Sequence, residues 1–243
     1  MRKSLIFFAL LTVVLASCSK LESNEKKYLE GMQSDNYETA SQAYTDFCRW
    51  LEQDRETMTY DFNRMREQMG LKVATSADGH LRCYSWNTTP NDTLHIYANV
   101  SQWLAGENFI AFTGPIDKIL SSREKPMAHM IDSIYSLKLG NMNIYLIAQS
   151  YINKYGRRRA YVSACTIQDI RLAALPFFFD GTDSAGNSEF NDDGSTPVDK
   201  LFKWDEKTGI FSAFMTDDNY NLIPGQYVQY KLGSDRFTRL TTD

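Results

Sequence analysis

Met142–Asn153, reading MNIYLIAQSYIN, decides the fold. Side chains alternate along a strand, so Ile144, Leu146, Ala148 and Ile152 fall on one face and Tyr145, Ile147 and Tyr151 on the other. A strand that is apolar on both faces is central in its sheet and covered on both sides. Gly140-Asn141 marks a tight turn from Ile131–Leu139, and Asn153–Gly156 turns the chain into Arg159–Ile167. Strands joined by such short turns pair antiparallel.

Period-two patterning extends outward from this segment. Leu71–Ser76 and His80–Trp86 flank Asp78-Gly79, a strong hairpin signal. Thr93–Ala98 and Phe109–Thr113 read as strands, Ile170–Phe179 is apolar, and Ser121–Met127, with Pro126, reads as a loop. Asp180–Thr196 is rich in Gly, Ser, Asn and Asp and reads as the longest loop. Closing strands are expected at Lys200–Trp204, Ile210–Met215, Tyr220–Ile223, Gln226–Leu232 and Arg236–Leu240.

Before Leu71 the period is helical. Asn36 or Asp35 can cap a helix whose buried stripe is Ala40, Ala43, Tyr44, Phe47, Cys48 and Leu51. A second stripe, Met58, Phe62, Met65 and Met69, ends at Gly70, with a break at Glu52–Thr57 favouring a helical pair. The predicted class is α+β: an N-terminal helix or helical pair packed on a large, mainly antiparallel β-sheet or meander. Helices over 36–70 and strands over 71–243 would form one globular domain.

The first residues give the compartment. Arg2 and Lys3 precede an apolar run, Leu5–Ala16, too short to cross a bilayer, which needs roughly 20 apolar residues. Leu15-Ala16-Ser17-Cys18 resembles the lipobox of bacterial lipoproteins. That resemblance implies a signal peptide over 1–17 and Cys18 as the acylated amino terminus of the mature chain. Two or more acyl chains anchor stably, where one binds only marginally. Residues 18–35 are polar without a lasting period and are expected to be a flexible tether. Ser19 is not the acidic retention mark of enterobacterial lipoproteins, which by analogy points to the outer membrane and leaves its periplasmic and surface faces open.

Composition excludes some partners. The chain has 26 Lys+Arg and 30 Asp+Glu; loss of Arg2 and Lys3 leaves 24 against 30, a formal charge of −6. An acidic chain gives no support for nucleic-acid binding. Cys48, Cys83 and Cys165 are left beside Cys18, an odd number outside any metal spacing. They are expected as buried thiols, with a Cys83–Cys165 bridge as the alternative.

Catalytic signatures are missing: His80, His95 and His129 form no H-x-x-x-H pair, and no nucleophile elbow, Walker loop or G-x-G-x-x-G occurs. No cofactor or metal is implied. Asp180, Asp183, Glu189, Asp192 and Asp193 supply hard oxygen ligands without the spacing of a calcium loop. Arg157-Arg158-Arg159 reads as an exposed turn whose charges deter edge pairing.

Tyr84-Ser85-Trp86-Asn87 and Phe202-Lys203-Trp204-Asp205 place an aromatic and a Trp two apart before a turn former. They are either hairpins whose Trp packs over a turn or, with Trp103, an exposed platform for a glycan or peptide. Leu81–Thr93, LRCYSWNTTPNDT, resembles a motif of uncharacterised Bacteroidetes lipoproteins in which aromatic-Ser-Trp-Asp precedes Gly-Gly-Thr; Asn87 and Asn91-Asp92 depart from it. Exported proteins of that group carry O-glycans at Asp-Ser/Thr-small tripeptides, which Asp92-Thr93-Leu94, Asp132-Ser133-Ile134 and Asp183-Ser184-Ala185 resemble. Ser184, in the long polar loop, is the best placed. The expected role is a lipid-anchored, non-catalytic accessory or interaction module of the cell envelope, with an envelope protein or glycan as partner. The alternatives are a glycan- or peptide-binding surface lipoprotein and, more weakly, a hydrolase with a dispersed site.

Overall fold

A computed structural model describes residues 19–88, 96–114, 129–153, 155–178, 184–192 and 194–240. It is α+β, and it divides into two compact units, one ending at Leu71 and the other covering Lys72–Asp243.

The first unit is helical: α1 (19–32), α2 (Tyr37–Gln53), a 3₁₀ turn (Arg55–Met58) and α3 (Asn63–Met69). Asn36 caps α2, its Oδ1 accepting from the Thr39 N–H at 3.0 Å, and Gly70 ends α3 at φ +69°. The expected break at Glu52–Thr57 is real: Asp54 closes α2 and accepts from the Glu56 N–H to open the 3₁₀ turn. Phe47, Trp50, Phe62 and Tyr28 form an aromatic core with ring centroids 5.4–6.1 Å apart.

Helix α1 corrects the expectation of a flexible tether over 18–35. Leu21, Glu25, Leu29 and Met32 are buried along one face. Their spacing is helical, but a Glu interrupts the stripe and hides it from a search for apolar periodicity. Glu25 accepts from the Tyr60 hydroxyl at 2.6 Å and from the Met65 N–H at 3.0 Å, joining α1 to α3. At Gly31 a side-chain carbon would lie 2.6 Å from Cβ of Ala43, so α1 meets α2 where only hydrogen fits.

The second unit holds three antiparallel sheets. The first runs in order β1 (Lys72–Thr75), β2 (Leu81–Asn87), β3 (Tyr97–Ala105) and β4 (Asn108–Thr113). The second runs β5 (Met130–Leu139), β6 (Met142–Ile152), β7 (Arg157–Gln168), and along the far side of β7 lie β8 (Arg171–Ala174) and β9 (Ser184–Asn191). After the four-residue helix α4 (Val198–Leu201), the third runs β10 (Phe202–Asp205), β11 (Ile210–Thr216), β12 (Leu222–Leu232) and β13 (Phe237–Arg239).

Strand β6 is central, as its sequence requires, and it is buried on both faces. Ile144, Leu146 and Ala148 join a core with Phe178, Phe190, Phe202, Phe211 and Phe237 that ties the second sheet to the third. Tyr145 and Ile147 join Leu81, Cys83, Trp103, Cys165 and Leu172, tying it to the first. The second sheet is thus packed between the first and the third. Phe211 is the hub on one side, its ring 6.0–6.3 Å from those of Tyr135, Phe178, Phe202, Tyr230 and Phe237.

Three strand readings change. Residues 99–105, read as no strand, complete β3 with Trp103. Thr93–His95 and Ser121–Met127 lie outside the described residues. The segment read as a loop after Asp180 contains β9, which pairs with β7 through a register shift at Ala160/Val162. Its glycine is structural: at Gly186, φ +70°, a side-chain carbon would lie 2.8 Å from the Phe202 ring. Tyr220–Ile223 and Gln226–Leu232 prove to be mostly one strand, β12, bulged in between.

Candidate functional site

Four hairpin ends of the second unit meet around a cleft of about 660 Å³. The β1–β2 turn contributes His80, the end of β3 Leu104–Gly106, the β5–β6 turn Asn141–Asn143, and the β7–β8 turn Thr166, Ile167 and Asp169. Tight turns end these strands because Gly79, Gly106 and Gly140 take positive φ. The cleft floor is apolar, with Leu104, Ala105, Leu139 and Ile167; its rim carries His80, Asn141 and Asp169.

Asp78 fixes the rim. Its Oδ1 accepts from the Ser76 hydroxyl at 2.6 Å and the His80 N–H at 3.0 Å. Its Oδ2 accepts from the Tyr145 hydroxyl at 2.8 Å and the Asn143 amide at 3.1 Å. One carboxylate therefore joins the β1–β2 hairpin to β6. Burial pushes its titration up, but the hydrogen bonds from Ser76, His80 and Tyr145 outweigh burial and hold it below the usual carboxylate range. Burial and the same carboxylate push the Tyr145 phenol well above its ordinary value.

A lowered folded-state value contributes stability above the unfolded pKa of about 3.9 that is lost as the pH falls through the folded one. Asp78→Asn is expected to flatten the acid limb of stability below about pH 4. Urea midpoints measured from pH 6 to pH 2 check this; an unchanged acid limb would contradict it.

His80 Nδ1 lies 3.7 Å from Asp78 Oδ2. Ser76, Asp78 and His80 nevertheless do not form a nucleophilic triad, because the hydroxyl bonds the carboxylate and not the imidazole. The arrangement presents carboxylate, amide, hydroxyl and imidazole groups beside apolar side chains, a mixed lining that suits a polyhydroxy ligand.

The residues singled out in the sequence are dispersed. Trp86 is 1% exposed and Trp103 5%, on opposite faces of the first sheet, since Leu81 pairs with Trp103 and Trp86 with Ala98. The Trp103 indole N–H donates to the Ile170 carbonyl at 3.1 Å. Trp204 packs on the core of the third sheet, edge-on to Phe237. The three therefore form no shared platform, and hairpin packing is their role. Ser184 lies in β9 opposite Ser163, not in a loop.

Cys48, Cys83 and Cys165 are free thiols, Cys48 half-buried and the others buried in one cluster. Burial pushes Cys83 up to about 12, against a contact with the Ser101 hydroxyl. Glu189 belongs to β9 and the Asp192 carboxylate is buried in an ion pair, so they do not converge as calcium ligands; Asp180, Asp183 and Asp193 lie outside the described residues. Cys18 and His95 also lie outside them. His129 stacks on Tyr151 at 4.5 Å and contacts the Tyr161 hydroxyl through Nδ1 at 2.6 Å.

Arg158, read as part of an exposed turn, is the most deeply buried charge among the described residues of the second unit. Its Nη1 donates to Asp192 at 3.1 Å and to the Thr196 carbonyl at 2.7 Å. Its Nη2 donates to Asp132 at 3.2 Å and to the Ser150 hydroxyl at 3.0 Å. Strand alternation explains the misreading: Arg157 points outward and stacks on Tyr220 at 3.9 Å, while Arg158 points in. Burial pushes the Asp132 carboxyl up against the pull of Arg158 and Ser150. The Asp132-Ser133-Ile134 tripeptide is therefore core structure.

Among known proteins, no family model, curated protein or solved structure matches the chain. Fold and cleft define an α+β protein with a three-sheet unit. Among the described residues, no helix is long and apolar enough to cross a membrane.

Proposed function

We propose that this is a lipid-anchored protein of the cell envelope, held to the membrane through Cys18, whose folded part is a non-catalytic interaction module. The anchor rests on the order of parts at the start of the chain: Arg2-Lys3, the apolar run Leu5–Ala16, then Leu15-Ala16-Ser17-Cys18. The observation that carries the module is the cleft ringed by four hairpin turns. Binding residues concentrate on loops that a rigid scaffold positions, and this rim is braced by Asp78. Its mixed lining favours an envelope glycan over a charged ligand.

In cells, Cys18→Ala is expected to move the protein from the membrane fraction to the soluble fraction and to remove the acyl mass from its amino terminus. Retention in membranes without Cys18 would overturn the anchor. For the cleft, glycan titration should shift the His80 ring resonances saturably, and a broad glycan panel that leaves them unmoved would overturn the glycan reading.

A further inference from the structure

A second cavity, of about 470 Å³, lies on the third sheet and has a different chemistry. Its size falls within the range of small-molecule sites, about 300–1,000 Å³. Phe214, Leu222, Ile223, Pro224 and Pro197 give it an apolar wall, and Lys200 supplies a charge at its rim. None of its lining residues is an Asp or Glu.

Both walls are built structures. On one side, Leu222 pairs with Thr216 and Tyr227 with Phe214, so a single residue of β11 is spanned by four of β12, Ile223–Gln226. That bulge has no partner residue on β13 either, because β13 pairs only with Tyr230–Leu232. Bulges of this kind re-aim side chains and gather beside binding sites. On the other side, Ser195–Pro197 is fastened by the buried ion cluster: Arg158 donates to the Thr196 carbonyl, and Asp192 accepts from the Thr196 N–H at 3.3 Å.

Tyr227 fixes the backbone that carries the charge. Its hydroxyl donates to the Lys200 carbonyl at 3.1 Å, and Lys203 sits over its ring at 4.2 Å. Among the lining residues Lys200 is the one that carries a charge, which gives a largely apolar cavity a positive edge. A neutral apolar ligand would leave this positive edge unused, and an anion without an apolar body would leave the wall unused.

We propose that this cavity binds a small aliphatic carboxylate, its carboxylate at Lys200 and its chain against Phe214, Leu222, Ile223 and Pro224. The site is separate from the cleft and independent of the anchor.

The test uses the full chain carrying Cys18→Ala, titrated with octanoate and, separately, with octan-1-ol, while the methyl resonances of Leu222 and Ile223 are followed. Octanoate should shift both saturably and bind about tenfold more tightly than octan-1-ol, the effect of one charge-assisted contact. Lys200→Gln, at an exposed position, should bring octanoate down to the affinity of octan-1-ol and leave the alcohol unchanged. Ile223→Trp, which fills the cavity from the bulge, should abolish both. Shifts elsewhere only, equal affinity for acid and alcohol, or undiminished binding to Ile223→Trp would each overturn the proposal.

Discussion

Arg158→Met is expected to destabilise the three-sheet unit by about 3–5 kcal/mol, the cost of removing one partner from a buried ion pair. The reason lies in what remains. Asp132 and Asp192, whose side chains are 8% and 5% exposed, would be left facing each other's charge without a cation between them. Methionine approximates the aliphatic volume, so the loss is electrostatic more than steric. Arg158→Lys should recover only part of it, because a single ammonium cannot reproduce the fork that serves Asp132, Ser150, Asp192 and the Thr196 carbonyl. Burial already pushes Asp132 up in the intact cluster, and without Arg158 it would rise further. A raised folded-state value favours the folded form below the unfolded pKa, and that stability is lost as pH rises through the folded one. The penalty of Arg158→Met should therefore be larger at pH 7 than at pH 4.5 in urea unfolding. A penalty independent of pH would mark Arg158 as packing alone.

Glu25→Ala is expected to cost the helical unit about 2–4 kcal/mol, since it removes two hydrogen bonds to a charged, buried acceptor. Glu25 is 1% exposed, and its loss strands the Met65 N–H in the interior. That amide is its own reporter: its hydrogen exchange should accelerate at least about thirtyfold, given tenfold per 1.4 kcal/mol. Tyr60→Phe removes only one of the two bonds and should cost about 1 kcal/mol. Unchanged exchange at Met65 in Glu25→Ala would return residues 19–35 to the role of a loose spacer.

These two residues also mark where the sequence was hard to read. Met142–Ile152 declared its central place, because two-sided apolar alternation has one structural solution. Asn36, Gly70 and the Asp78-Gly79 hairpin were legible for the same reason: each meets a local backbone requirement. Glu25 and Arg158 were not, because a charge in a patterned segment reads as solvent-facing until its partner is known, and those partners lie 26–40 residues away in the chain. The strand β9 was hidden by Gly186 and its polar neighbours, whose pairing with β7 is decided by tertiary contact. Of the cleft, Asp78 and His80 were visible as turn residues; that four turns converge there depends on how the first two sheets stack. The tryptophans left two readings open, and the burial of Trp86 and Trp103 follows the one in which large rings serve the core.

Helix α1 has a mechanical consequence. Residues 19–32 are helical, and Leu21 is already buried. With an acyl group on Cys18, the lipid would be attached one residue before this helix. A leash would let the module sweep a hemisphere and absorb tension by uncoiling. A post, about 20 Å long at 1.5 Å per residue, passes torque and pull directly into Glu25 and the α3 turn that it grips. A force on such an anchor would first be felt as strain at Met65, within the helical unit.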